Sequence, residues 1–320
     1  MDLFLPIFTQ MLMLFAFIAI GFLLAKFKIV PQNANAVLSK LENFIFVPAL
    51  VMGTFIKNCT PENISTLWKV LLFSVILLVV LMPLSFFSAK LFCKDDYIKK
   101  ITIYGLVFSN FGFMGNAVVK AAFPELFFDY TVFTLPFWFA IYAWGVPVLL
   151  IGNNSGGEKR VILSRLKNFI NPMLIAMLFG MIIGLTGLKL PEKVTDAVDL
   201  LGDCMSPIAM MLTGMTVANS NIKLLLKSKS LYMISAIRLL AFPLLFTLAV
   251  MFLPKGDFVS KTVLLCGICM VSMPMGLNSI VIPAAYGKDT SFAAALAVIT
   301  TLLSVVTIPL AYSLFNVLVL

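Results

Sequence analysis

Ten apolar runs parted by short polar stretches organise the chain, at approximately residues 3–25, 35–56, 67–92, 101–123, 131–152, 169–188, 196–218, 230–253, 262–285 and 291–315. Crossing roughly 30 Å of hydrocarbon takes about 20 helical residues, and each run is about that long. Unbroken apolar length excludes the period-two alternation of barrel strands. The pattern therefore predicts an all-α integral membrane protein with ten transmembrane helices. The first run follows no Lys or Arg and continues well past a signal-peptide core, so it reads as a true span. The longest polar loop, NNSGGEKRVILSRLKN, falls mid-chain with five runs on either side. This predicts a first five-helix unit over 1–152, a connecting loop over 153–168 and a second five-helix unit over 169–320.

Composition supports lipid as the outer solvent: of 320 residues 61% are hydrophobic and 12% charged, and mean hydropathy is +1.07. The +9 net charge then belongs to loops and anionic headgroups, and does not argue for nucleic acid. Loops after the odd-numbered spans, with adjoining span ends, hold fourteen basic residues: Lys26, Lys28, Lys90, Lys94, Lys99, Lys100, Lys159, Arg160, Arg165, Lys167, Lys223, Lys227, Lys229 and Lys288. The opposite side holds six: Lys57, Lys69, Lys189, Lys193, Lys255 and Lys261. Positive loops stay cytoplasmic, so both termini are expected outside. Trp68 and Trp144 lie near predicted span ends, as interfacial anchors do.

Chemistry for catalysis is sparse. Histidine is absent, and the five cysteines (Cys59, Cys93, Cys204, Cys266, Cys269) are scattered, with the single close pair CGIC inside an apolar run. These read as small core residues, and no metal or cofactor is expected. No P-loop is present to bind ATP, and the loops are too short to house a signalling domain.

An odd number of spans per half makes the second half cross the membrane in the opposite sense, so similarity between halves is an inverted repeat. Allowing slips of one or two residues, GFLLAKFKIVPQNANAV from Gly21 matches GMIIGLTGLKLPEKVTDAV from Gly180, with Pro48 and Pro207 following at similar distances. FMGNAVVKAAF from Phe113 matches PMGLNSIVIPAAY from Pro274.

Those last two stretches carry the unexpected polar residues. Span 4 holds Ser109, Asn110, Gly112, Gly115 and Asn116, and span 9 holds Ser272, Pro274, Gly276, Asn278, Ser279 and Pro283. Such residues at mid-depth imply helices that open where protein or water covers the backbone. Interrupted helices at matching places in inverted halves point to a transporter's central site, where half-helix amides and asparagine donors attract an anion. Close helix packing is the competing explanation for the three glycines, and a packing role competes for Asn110, Asn116 and Asn278. Lys120, near the outer end of span 4, is placed either to contact an anion or to snorkel to the interface. Arg238 is expected to pair with an acid or a lipid phosphate. Glu42, Asp199 and Asp203 lie in spans 2 and 7; Glu42 and Asp203 are candidates for carrying a coupling proton or ion, against a solvated or paired structural role.

At NFGFMGNA the chain resembles the auxin efflux carrier family, which includes microbial malate permease-like proteins and whose first-half motif reads approximately N-x-G-F-x-G-x-P. PMGLNSIVIPAAYGKD, followed by a span ending TIPL, resembles the second-half motif more closely, and IGFLLAKF and FVPAL extend the likeness over most of the chain. The sequence departs at Ala117, usually proline in the family, and at Pro124, where glycine is common. The resemblance implies a fold similar to bile acid/sodium symporters, with two inverted five-helix repeats. Spans 1, 2, 6 and 7 would form a scaffold, and spans 3–5 and 8–10 a transport domain where broken helices 4 and 9 cross. It also implies that Asn110, by motif position, and Asn278 as its counterpart contact a substrate carboxylate. The expected function is secondary active or facilitative transport of small organic anions by alternating access through the cytoplasmic membrane. A sodium-coupled symporter of the bile acid type is the alternative, a membrane sensor is a weaker one, and the reading allows a homodimer.

Overall fold

The computed structural model describes residues 4–31, 33–151, 172–219, 228–254, 256, 259–285 and 288–320. The connecting loop expected over 153–168, with its basic residues, lies outside them, as do Lys223, Lys227 and Lys255. Among the described residues each of the ten apolar runs coincides with helix, interrupted in the fourth and ninth. Seven helices are long and apolar enough to cross a membrane among the described residues. Five of these are α1 (Phe4–Lys26), α2 (Ala34–Asn58), α3 (Pro61–Phe92), α6 (Pro124–Ile151) and α8 (Glu192–Ala218). The other two are α9 (Lys229–Met251) and α12 (Ser291–Leu318). The remaining three runs give shorter pieces. Span 6 is α7 (Pro172–Thr186). Span 4 is divided into α4 (Asp96–Val107) and α5 (Asn116–Ala122), and span 9 into α10 (Lys261–Ser272) and α11 (Asn278–Ala285).

Local chemistry starts several of these helices. Thr60 accepts from the Asn63 amide with Pro61 at the first helical position, Asp95 accepts from Ile98 at 2.8 Å, and Ser260 accepts from Val263 at 3.3 Å. The surface is inverted relative to a water-soluble protein: Phe87, Phe139, Phe252 and Val317 are exposed, while Thr131, Thr213, Ser235 and Thr300 are buried. Each of those buried hydroxyls bonds a carbonyl one turn back in its own helix, which satisfies it without water. Cys266 and Cys269 are fully buried free thiols, consistent with core filling.

Two helix pairs dominate the packing, α1 on α8 and α2 on α7. The first pair meets backbone to backbone: a Cβ on Gly21 would overlap the Met211 carbonyl, and one on Gly214 would overlap that of Ile18. Small residues are what let membrane helices approach this closely. The α4 and α10 pieces pack against α3, α6 and α12, and α10 also against α9, while α5 touches α1 and α8 as well as α6.

The two interruptions arise differently. Pro274 pushes the residue before it out of helical conformation, and Met273 is extended (φ −70°, ψ 147°), which stops α10 at Ser272. Span 4 has no proline at its break. Phe108 is nevertheless extended (φ −106°, ψ 92°) and Asn110 lies outside the helical region (φ −77°, ψ 44°). Pairing with the other break holds it open: Ser109 and Met275 form an isolated antiparallel bridge, and the Asn110 amide donates to the Pro274 carbonyl at 2.8 Å.

Candidate functional site

At the paired breaks, several backbone groups released from helical bonding find partners. The Asn110 carbonyl accepts from the Gly115 amide at 2.8 Å, starting a π-helical turn, Phe111–Gly115, that runs into α5. Tyr130 donates its hydroxyl to the Phe111 carbonyl at 3.3 Å. Ser109 donates to the Met270 carbonyl at 2.9 Å, and the Met275 amide donates to the Thr300 hydroxyl at 3.2 Å. Arg238, 2% exposed, supplies three more bonds: Nε donates to Met273 O at 2.9 Å, Nη1 to Leu106 O at 2.9 Å and Nη2 to Met270 O at 3.1 Å. Orphaned groups at this depth would cost several kcal/mol each, so these bonds are what make two open helices tolerable here.

The glycines of the motifs have steric reasons to be glycines. A Cβ on Gly112 would press the Trp138 ring, one on Gly115 the Tyr130 hydroxyl, and one on Gly276 would stand 3.1 Å from the Ser109 carbonyl. Both motifs are thus drawn into direct contact with each other and with α6.

Some polar groups are left over. Asn110 is 2% exposed, yet among the described residues its Nδ2 amide makes no hydrogen bond, and neither does the buried Tyr104 hydroxyl, which lies beside Asn278 short of bonding geometry. These three side chains, with Ser109, Trp138 and Gly276, line a void of ≈ 10 Å³, room for about one water molecule. Asn278 opens α11 and is half-buried. Asn116 is buried at the start of α5 and Pro274 accepts from Asn110, while Ser279 turns its hydroxyl back to the Gly276 carbonyl at 2.7 Å. An unbonded amide N–H₂ and a phenol, on two residues that line one small void, form a donor set suited to a carboxylate oxygen.

Lys120 and Asp203 are not part of that void. They pair with each other at 2.6 Å, and Lys57 pairs with Asp199 at 2.6 Å, around a separate cavity of ≈ 200 Å³ between α2, α8 and the start of α6. Both pairs are substantially exposed, so each contributes on the order of 0–1 kcal/mol. Glu42 is fully buried on a π-helical turn of α2, Glu42–Phe46, and neither carboxylate oxygen has a partner among the described residues.

One expectation is corrected. Arg238 pairs with neither an acid nor a lipid phosphate; its partners are backbone carbonyls, which its place deep in an apolar run, far from any acidic residue in sequence, could have suggested. Trp144 is half-buried, with its ring 5.9 Å from Phe86 and 6.1 Å from Phe108 beside the break. Tyr104, which no motif marked, lines the same void.

Residues 6–312 match the family described as "Membrane transport protein". A Rhizobium meliloti (strain 1021) protein named "Putative malonate transporter" is 24% identical over 299 residues, covering 92% of this chain and 91% of that protein. With the auxin efflux carrier and malate permease-like motifs standing at its paired helix breaks, the chain belongs to the membrane transport protein family.

Proposed function

We propose that this multi-pass membrane protein carries small carboxylates by alternating access, binding them between the helix breaks. The observation that carries the reading is the unbonded Asn110 amide, held by its own backbone bonds at the junction of two open helices. A carboxylate leaving water loses strong hydration and is held at this depth only by donors already oriented there. Asparagine supplies such donors without a permanent charge. Asn278 and Asn116, with Gly112, Gly115, Pro274, Gly276 and Ser279 shaping the breaks, complete the site; Lys120 acts at its approach.

On this reading the ten spans form two inverted repeats. The tight α1–α8 and α2–α7 pairs are the scaffold, and the elements carrying the breaks move against it. Glu42, buried without a partner, is the group for a coupling proton. A dicarboxylate such as malonate is the substrate to try first, since the relative's name specifies it. Purified protein in liposomes is expected to take up radiolabelled malonate or malate above protein-free liposomes, with unlabelled dicarboxylates competing. Absence of uptake and of competition across a panel of mono- and dicarboxylates would sink the reading.

Orientation follows from the fourteen-to-six charge division, with both termini outside the cytoplasmic membrane. A cysteine placed after Leu320 is expected to react with an impermeant maleimide on intact cells, and one placed at Lys94 to react only after permeabilisation. The reverse pattern would overturn the assignment.

A further inference from the structure

Arg238 faces an unusual set of partners. Among the described residues no carboxylate pairs with its guanidinium, and three nitrogens go to three main-chain carbonyls, those of Leu106, Met270 and Met273. These oxygens come from the C-terminal ends of two different helices, α4 and α10, which the breaks bring to one place. Each such helix end carries roughly half a negative charge, so two together present about one unit. One guanidinium matches it. The residue sits on a π-helical turn, Ile237–Ala241, ahead of Pro243, which turns it inward from α9.

Carbonyl oxygens at the open ends of broken helices are, in membrane carriers generally, the groups that coordinate a coupling sodium ion. Here a cation that belongs to the chain already has them. We propose that Arg238 is a built-in cation at the helix breaks, occupying carbonyl oxygens that a coupling sodium ion would otherwise use, so that the carrier works without sodium. This rests on the transport reading above and adds its ion requirement.

The test is thermal unfolding of the purified protein in sodium chloride against choline chloride at equal ionic strength, with potassium chloride as a size control. Wild-type protein is expected to melt at the same temperature in all three. Arg238→Ala and Arg238→Gln are expected to melt lower, and sodium is expected to raise their midpoints by about 3 °C or more with a saturable dose dependence. Arg238→Lys, which keeps the charge, is expected to melt lower without responding to sodium. A saturable sodium shift in the wild type overturns the proposal, and so does a neutral variant that responds to sodium no more than to choline. Should neither neutral variant fold even in sodium while Arg238→Lys does, sodium does not replace the charge and the proposal falls. The readout needs no substrate: a liposome panel without uptake, alongside the expected sodium pattern, removes the transport reading and leaves the charge replacement standing.

Discussion

Replacing Asn110 with alanine is expected to weaken carboxylate binding by about tenfold to a hundredfold while leaving the melting temperature unchanged or slightly raised. The loss follows from removing a hydrogen bond to a charged group, worth about 1.5–3 kcal/mol. The sign on stability follows from the structure. The Asn110 Nδ2 is buried without a partner, and an unsatisfied buried donor costs about 1–3 kcal/mol, so deleting it relieves a penalty. The bonds that hold the break use the Asn110 main chain, to Pro274 O and from the Gly115 amide, and alanine keeps both. Isothermal titration with the transported carboxylate and thermal unfolding of the same preparation read the two effects. Unaltered affinity, or lost affinity that accompanies a lower midpoint, would assign Asn110 to packing. A site that destabilises its own fold is common where binding needs donors poised for a ligand.

The second large effect concerns the scaffold. Gly214→Val is expected to abolish recovery of folded protein, or to cost more than about 3 kcal/mol if any is recovered. Overpacking a well-filled contact commonly costs about 1–3 kcal/mol because side chains shift to absorb it. At Gly214 the obstacle is the Ile18 main chain, so α1 itself must move, and the reciprocal contact of Gly21 with Met211 must move with it. Gly256→Ala, where nothing lies within 4 Å of the added carbon, is the matched control and should behave as wild type. Size-exclusion chromatography in detergent followed by thermal unfolding separates the outcomes. A monodisperse Gly214→Val protein with the wild-type midpoint would show that the helices slide apart at little cost.

Much of this architecture was legible in the sequence because its causes are local. Apolar length gave the helices, and Pro274 gave the second break, since proline acts on its immediate neighbour. The first break was legible only as a polar cluster. Its position, at Phe108–Asn110 ahead of the glycines, depends on main-chain pairing with Met275 and Pro274, about 165 residues away in the chain. Arg238 was visible as a charge in an apolar run, but its partners are carbonyls, which every residue possesses and no side-chain pattern announces. The Lys120–Asp203 pair spans 83 residues, and each partner taken alone resembled a site residue. What sequence could not supply was therefore the meeting of distant main chains, together with the burial that turned Tyr104 from an ordinary aromatic into a candidate donor.

The ≈ 10 Å³ void between the breaks bears on how affinity measurements on this carrier are to be read. On the proposed reading, a space for one water does not admit a dicarboxylate, so the breaks must part before substrate enters between them. The apparent dissociation constant is then the intrinsic one divided by the fraction of molecules whose breaks have parted. Changes remote from the void, in any contact that favours the collapsed arrangement, shift that fraction and hence the measured affinity without touching a ligand contact. Every family of substrates tested on one variant would shift by the same factor, whereas a lost donor such as that of Asn110 discriminates among substrates by how each uses it.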